Sequence, residues 1–212
     1  MQTLFLSYFI NKNTPVYGGV ENAFITESLS SIIEGDTSNS SKYIFNNHIG
    51  THIDFPFHFS NTGAKSNDYN SNFWIFNKVG FINTSINNFE DDIKDLPIDI
   101  EILLLKTNFG INRGTDKYIF DQPVIPSNWA FLLRSKFPKL RAFGFDLISL
   151  TSKKDRIEGK KAHIEFLIEN NILIIEDMDL SKITESPSKL IVAPLLIESS
   201  DGVPCTIISF FE

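Results

Sequence analysis

Short apolar runs, each bounded by turn-forming residues, recur along the chain and predict buried strands. The first run covers residues 3–10 (TLFLSYFI) and is closed by the turn-rich stretch Asn11-Lys12-Asn13-Thr14-Pro15. The tail predicts two strands joined around Asp201-Gly202, a dipeptide that favours turns. The full set of predicted strands is 3–10, 100–106, 141–146, 172–175, 189–197 and 203–211.

Two segments carry helical periodicity instead. The first has Ser127 as its N-cap, continues through Trp129 to Leu133, and stops before Pro138. The second covers 159–169, with Ala162, Phe166 and either Leu167 or Ile168 facing inward, and Asn170-Asn171 ends it. The pattern predicts an α/β protein: a mixed β-sheet core with a few flanking helices, in a single domain over residues 1–212.

Composition excludes several classes of protein. Hydrophobic residues make up 42% of the chain, which is too many for a disordered protein. The net charge is −7 and the basic residues are scattered, so no surface for nucleic acid is expected. No apolar run approaches the roughly 20 residues of a membrane span. No signal peptide is expected, and the single cysteine, Cys205, indicates a reducing compartment such as the cytoplasm.

The candidate chemistry is concentrated in the segment His48-Ile49-Gly50-Thr51-His52-Ile53-Asp54-Phe55-Pro56-Phe57-His58. In an extended chain, side chains alternate between two faces. The polar face would carry His48, His52, Asp54 and His58, whereas Ile49, Ile53, Phe55, Phe57 and Phe59 would occupy the apolar face.

A purely structural role for these histidines is the alternative. Single buried histidines are often structural, but this segment groups three imidazoles with a carboxylate. Burying them together without an ion would leave several polar groups short of partners. Imidazole and carboxylate are common ligands of divalent metals, so the segment predicts a metal site.

The segment resembles the HxGTHxDxPxHF signature of the cyclase family of metal-dependent hydrolases, which includes bacterial kynurenine formamidases and isatin hydrolases. Every fixed position is present: His48, Gly50, Thr51, His52, Asp54, Pro56, His58 and Phe59. Other elements look like further family motifs: Leu6-Ser7 with Thr14–Tyr17, Leu104–Thr107, Gly144–Asp146 with Ser149, and Asp201–Pro204. Tyr8, Gly18 and Lys106 depart from residues that are common in the family.

The resemblance implies two more ligands, His163 on the second helix and Glu176 after the strand that follows it. The family's spacing between these positions is usually one residue shorter, so an extra residue is expected near Asn170-Asn171. Glu165 and Glu169 are therefore competitors for the role of Glu176.

The resemblance further implies two divalent ions, zinc or manganese. His48, His52 and Asp54 would hold one ion, His163 and Glu176 the other, and Asp54 would bridge them. His58 would be the general acid/base. The substrate would be a small amide, N-formyl amine or lactam, and the assembly a homo-oligomer, either a dimer or a tetramer. Residues 60–72, with Phe73 and Trp74, are expected at the rim of the substrate pocket.

Two other classes of function stay open. One is a cyclising or dehydrating enzyme on the same metal site. The other is a non-catalytic protein in which the metal holds the fold or a ligand, although an unliganded His58 would then have no purpose. Cys205 as a nucleophile is disfavoured, because it lies in a strand far along the chain from the histidines.

Overall fold

The computed structural model describes residues 2–212 and contains four α-helices within that range. They are α1 (Phe89–Asp92), α2 (Asp116–Phe120), α3 (Trp129–Lys136) and α4 (Arg156–Ile164), and a π-helical segment, Glu165–Glu169, continues α4. The strands are β1 (Gln2–Phe5), β2 (Phe24–Ser30), β3 (Ser40–Phe45), β4 (His52–Asp54), β5 (Ile75–Phe76), β6 (Val79–Asn83), β7 (Ile102–Lys106), β8 (Ala142–Phe145), β9 (Leu173–Glu176), β10 (Lys189–Pro194) and β11 (Gly202–Phe211).

Nine of these strands form one mixed sheet. Its order is β5-β10-β11-β4-β9-β8-β7-β6, and β1 also pairs with β11. Strands β6 to β9 are parallel neighbours, whereas the pairs from β9 through β4, β11 and β10 to β5 are antiparallel. The predicted α/β class with a mixed sheet and few helices is confirmed.

The apolar runs form strands because they are buried on both faces. All four residues of β8 and of β9 are buried, as are the first four of β7. The helices cover this sheet: Trp129 of α3 stacks on Phe89, and Phe166 stacks on Phe143 of β8. This core fixes the carboxyl end of β9, where Glu176 lies.

The first predicted strand is wrong in its second half. Strand β1 ends at Phe5, and the Phe9 side chain is exposed. Leu6 still donates its amide to Ile207 of β11, but its carbonyl accepts from the amide of Asp179, which lies outside the strands. Pairing with β11 therefore stops, and only an isolated bridge follows at Ser7.

The expected extra residue between His163 and Glu176 is accommodated earlier than Asn170-Asn171. In the π-helical segment Glu165–Glu169, the amide of Asn170 donates a hydrogen bond to the carbonyl of Glu165. This hydrogen bond spans five residues, whereas an α-helical one spans four. Asn171 then turns the chain with a positive φ of 50°. Such a π-bulge adds one residue to the helical turn.

Strands β2 and β3 form a separate two-stranded hairpin whose residues are mostly exposed. Sequence pattern did not predict it, because neither strand has a buried face. Within residues 2–212, no helix has both the length and the apolar character needed to cross a membrane.

Candidate metal centre

The histidine-rich segment is extended over only three residues. Strand β4 covers His52–Asp54, Gly50 has a φ of +61°, and Pro56–His58 forms a 3₁₀ turn. The predicted alternation therefore holds for β4 alone, and turns bring His48 and His58 towards the same side. Phe59 departs from the expected apolar face, because its ring stacks on His163 at a centroid distance of 4.6 Å.

Strand β4 lies between β11 and β9, which brings distant residues together. His52 is directly opposite Glu176 in the antiparallel register, and Gly202 of β11 is opposite Asp54. Ile53 points the other way and is fully buried in the core. Because a one-residue slip would reverse these faces, the core side chain of Ile53 fixes the direction of His52 and Asp54.

Two groups of donor atoms lie close enough to hold an ion. His52, Asp54 and Glu176 offer atoms within 4.8 Å of one another, and so do His48, Asp54 and His58. Asp54 belongs to both groups. The grouping differs in detail from the assignment made from sequence, since register places His52 with Glu176, and His58 lies with His48.

The separations between donor atoms suit a shared ion. Metal–ligand bonds of about 2.0–2.2 Å place neighbouring donors on one ion roughly 3–3.5 Å apart. Nδ1 of His48 is 2.9 Å from Oδ1 of Asp54, and Nε2 of His52 is 3.5 Å from that oxygen. Nε2 of His163 is 3.6 Å from Oδ2 of Asp54 and 3.5 Å from Oε1 of Glu176. The two oxygens of Asp54 thus face different histidines.

Backbone carbonyls set the tautomers of two histidines. A carbonyl can only accept, so Nδ1 of His52 must donate to Gly50, at 2.8 Å, and Nδ1 of His163 to Gly159, at 2.9 Å. Each ring then directs the lone pair of Nε2 into the cluster. In metal sites, the second ring nitrogen of a ligating histidine commonly donates a hydrogen bond in this way. Nε2 of His52 is buried and has no hydrogen-bond partner among the described residues. An unsatisfied buried nitrogen among carboxylates is what a metal ligand requires.

Glu176 is brought into the cluster, and its two competitors are not. It is 3% exposed, and its Oε1 accepts hydrogen bonds from the amide of Leu150 and the hydroxyl of Ser149. Glu165 and Glu169 lie on the π-helical segment and do not line the pocket described below.

The cluster strongly perturbs the pKa values of its members. Burial alone would lower the pKa of His48, but the charges of Asp54 and Asp201 outweigh burial and raise it to about 10. Burial likewise opposes protonation of His163, yet Asp54 and Glu176 raise its pKa to about 9. For Asp54, burial acts upward, but His48, His163 and His52 hold the pKa well below its usual value. Opposite charges within the cluster therefore outweigh burial in both directions, raising the pKa values of His48 and His163 and lowering that of Asp54.

Asp201 is a member of the cluster that the sequence analysis read only as part of a turn. Its Oδ2 lies 2.8 Å from Nδ1 of His58 and 3.0 Å from Nε2 of His48. Gly202 follows, and a Cβ there would collide with the imidazole of His48. The signal was present in the resemblance to the family's closing Asp-Gly motif, but turn chemistry explained the dipeptide without a site.

A pocket of about 740 Å³ opens above the cluster, and all six predicted site residues line it: His48, His52, Asp54, His58, His163 and Glu176. Its outer walls come from the segment around Tyr17 and Val20 and from Arg156, Ile157 and Lys160 of α4. The prediction for residues 60–74 is wrong, since none of them lines this pocket. Trp74 is buried against Phe55, and Ser66 and Asn67 bond to the connection between β10 and β11.

Comparisons with known proteins agree with this description. The Cyclase family model matches residues 4–151, more than half of the chain. Kynurenine formamidase of Bacillus cereus (strain ATCC 14579) is 28% identical over 206 residues, covering 94% of this chain and 92% of that protein. Kynurenine formamidase of Geobacillus thermodenitrificans is 26% identical over 204 residues, with the same coverage.

Solved structures share the fold over the whole chain. An isatin hydrolase bound to the product analogue thioisatinate has a TM-score of 0.80 at 17% identity, covering 100% of this chain and 93% of that one. A structure described as a potential metal-dependent hydrolase with cyclase activity has a TM-score of 0.76 at 22% identity, covering 100% and 98%. At these identities the likeness establishes the fold.

Proposed function

The chain belongs to the cyclase family, and on that premise we propose that it is a metal-dependent hydrolase of a small amide, with an N-formyl aryl amine as the preferred class of substrate. The reaction breaks a non-peptide C–N bond by adding water and yields a carboxylate and an amine. Two relatives that span nearly the whole chain are kynurenine formamidases, which act on such a bond.

One observation carries the proposal. Buried imidazole and carboxylate donors converge on the floor of an open pocket, with Asp54 shared between two groups and Nε2 of His52 lacking a partner. A divalent ion held there supplies Lewis acidity, which polarises a carbonyl group and makes water a stronger acid.

We assign His48, His52 and Asp54 to one ion and His163 and Glu176 to a second, with Asp54 bridging. The split of the Asp54 oxygens between His48 and His163 supports this bridging role. Zinc and manganese both suit the donor set: the imidazoles favour zinc, and the paired carboxylates also suit manganese.

His58 is assigned the proton transfers. It is partly exposed to the pocket, and its Nδ1 bonds to Asp201, which leaves Nε2 free to take a proton from water or give one to the leaving nitrogen. Cys205 is a poor alternative nucleophile, because burial raises the pKa of its thiol.

The outer wall of the pocket supports a substrate that carries an acidic group. Arg156 and Lys160 lie one turn apart on α4, on the helix that also presents His163. Both side chains line the pocket, where they can face an anion. Val20 and Ile157 beside them are exposed apolar side chains that suit an aromatic ring.

The proposal also includes three expectations from the sequence: a single domain over residues 1–212, a homo-oligomer, and a location in the cytoplasm. The single buried cysteine accords with the last of these.

Hydrolysis of a panel of formamides and lactams by protein loaded with zinc or manganese tests the function. We expect turnover of N-formyl aryl amines that disappears with chelator and returns with added metal. Folded, metal-loaded protein that hydrolyses no member of the panel would contradict the proposal.

A further inference from the structure

Asp201 is held at the centre of a network made entirely of side chains. Its Oδ2 contacts Nδ1 of His58 at 2.8 Å and Nε2 of His48 at 3.0 Å. Its Oδ1 accepts a hydrogen bond from the amide of Asn47. An aspartate that serves only a turn normally accepts from nearby backbone amides, but within residues 2–212 this carboxylate accepts no backbone hydrogen bond. Its geometry is therefore explained by the two histidines.

The contact with His58 determines which ring nitrogen carries the proton. An ionised carboxylate can only accept, so Nδ1 of His58 is the donor and Nε2 keeps its lone pair. A base whose far nitrogen bonds to a carboxylate is fixed in both tautomer and direction, an arrangement that recurs where histidine moves protons. The His48 contact does the same for that ring, whose Nδ1 faces Asp54.

We propose that Asp201 is a positioning residue: it holds His58 in the tautomer that the proton transfer needs. The inference rests on the proposed function in one respect, the role of His58 as acid/base. The link between Asp201 and the tautomer of His58 does not depend on it.

The residues around Asp201 are arranged to keep this position constant. Phe55 donates its amide to the carbonyl of Asp201, and Gly202 pairs with Asp54 across the sheet. The chain at Asp201 and Gly202 is thus tied to Asp54 and Phe55, in the middle of the segment that carries His52, Asp54 and His58. A carboxylate delivered from this strand end can reach both histidines without a flexible linker.

A double-mutant cycle tests the catalytic consequence. In zinc-loaded protein, Asp201→Asn should lower kcat by about 10- to 1000-fold with KM changed less than about threefold, because the lost arrangement matters for proton transfer. In a His58→Ala background, the same substitution should lower kcat by less than about twofold, since the residue it positions is gone. Multiplicative effects in the double variant, or an unchanged kcat in the single one, would overturn the proposal.

Nitrogen-15 NMR of the histidine rings tests the tautomer without any turnover. Zinc-loaded wild-type protein should show His58 protonated at Nδ1, and Asp201→Asn should shift His58 towards the other tautomer. A wild-type His58 protonated at Nε2 would overturn the inference even if formamides are hydrolysed. Conversely, the expected spectra from a protein that hydrolyses nothing would leave the positioning in place and remove the proposed function.

Asp179→Asn is the matched control. Asp179 is also a turn carboxylate, bonded to Ser181 and outside the pocket. It should leave kcat and the His58 spectrum unchanged. Thermal unfolding of Asp201→Asn within a few degrees of wild type would show that the loss of kcat is not a loss of fold.

Discussion

His52 and Glu176 face each other across the β4–β9 pair, with Nε2 and Oε2 3.3 Å apart. They are far apart in sequence, and the antiparallel register joins them. The histidine-rich segment alone therefore cannot form the centre, which needs the strand that follows α4 to deliver a carboxylate at the same level.

The carboxylate of Glu176 should be required for metal binding. Glu176→Gln should weaken zinc affinity at least 10-fold, because removal even of a residue behind a ligand typically costs 10- to 100-fold. Glu165→Gln and Glu169→Gln are the controls, and both should bind zinc as wild type does. Competition with a chromophoric chelator measures the affinities, and sensitivity at Glu165 instead would reassign the ligand.

Metal uptake should release protons, since the raised pKa values of His48 (about 10) and His163 (about 9) leave both protonated at pH 7.5 in metal-free protein. We expect at least about two protons per chain, measured by calorimetry in buffers of different ionisation enthalpy. Apparent affinity should rise with pH and level off above about pH 9–10.

The same two histidines determine how the stability of the metal-free protein changes with pH. Their folded-state pKa values lie above the unfolded value of about 6.5, so their contribution is fully present below that pH and is lost as pH rises through about 9 to 10. Chelator-treated protein should therefore lose stability over this range more steeply than zinc-loaded protein. If the stability of the two forms changed equally with pH over this range, the assignment of these histidines as metal ligands would be contradicted.

Arg156 and Lys160 should make the enzyme prefer a substrate that carries a negative charge. N-formylanthranilate and N-formylaniline differ only by a carboxylate, and we expect the acid to have the higher kcat/KM. Arg156→Met and Lys160→Met should each raise KM for the acid by about 1.5- to 5-fold, the range of exposed charge pairs, and leave the neutral substrate unaffected. Lys161→Met, on the same helix but outside the pocket, is the control. Equal effects on both substrates would remove the anion preference.

The sequence pattern predicted the strands that are buried on both faces. It also predicted the part of the site that lies within the segment from His48 to His58. The runs at β7, β8 and β9 were recognisable because burial on both faces makes them apolar up to their last residue. The resemblance to the cyclase family supplied His163 and Glu176, which local pattern could not join to His52.

The predictions that failed concern residues whose positions depend on packing between distant parts of the chain. Asp201 looked like an ordinary turn residue, and only the β4–β11 pairing places it beside His58. Trp74 looked like a candidate for the rim because it follows a polar loop, yet its indole packs on Phe55 in the core. The pocket wall formed by Arg156 and Lys160 was not predicted, since nothing in the local sequence shows which way that helix faces.

His58 should separate proton transfer from metal binding. His58→Ala should keep zinc and lower kcat by about 10²- to 10⁴-fold, the usual contribution of a general acid/base. His52→Ala should lose zinc and turnover together. Elemental analysis measures the zinc content of each variant, and steady-state kinetics measures its kcat. A His58→Ala protein that loses zinc would make His58 a ligand, as its closeness to His48 and Asp54 allows, and one with full activity would make it a packing residue.

The metal content of the folded protein tests the central claim most directly. Protein purified without chelator, supplied with zinc or manganese and dialysed, should approach two ions per chain by elemental analysis. The His163→Ala variant, prepared in parallel, should bind fewer. Wild-type protein that is folded by circular dichroism and holds no zinc or manganese after this treatment would contradict the account, because the convergence of His48, His52, Asp54, His163 and Glu176 would then serve some other purpose.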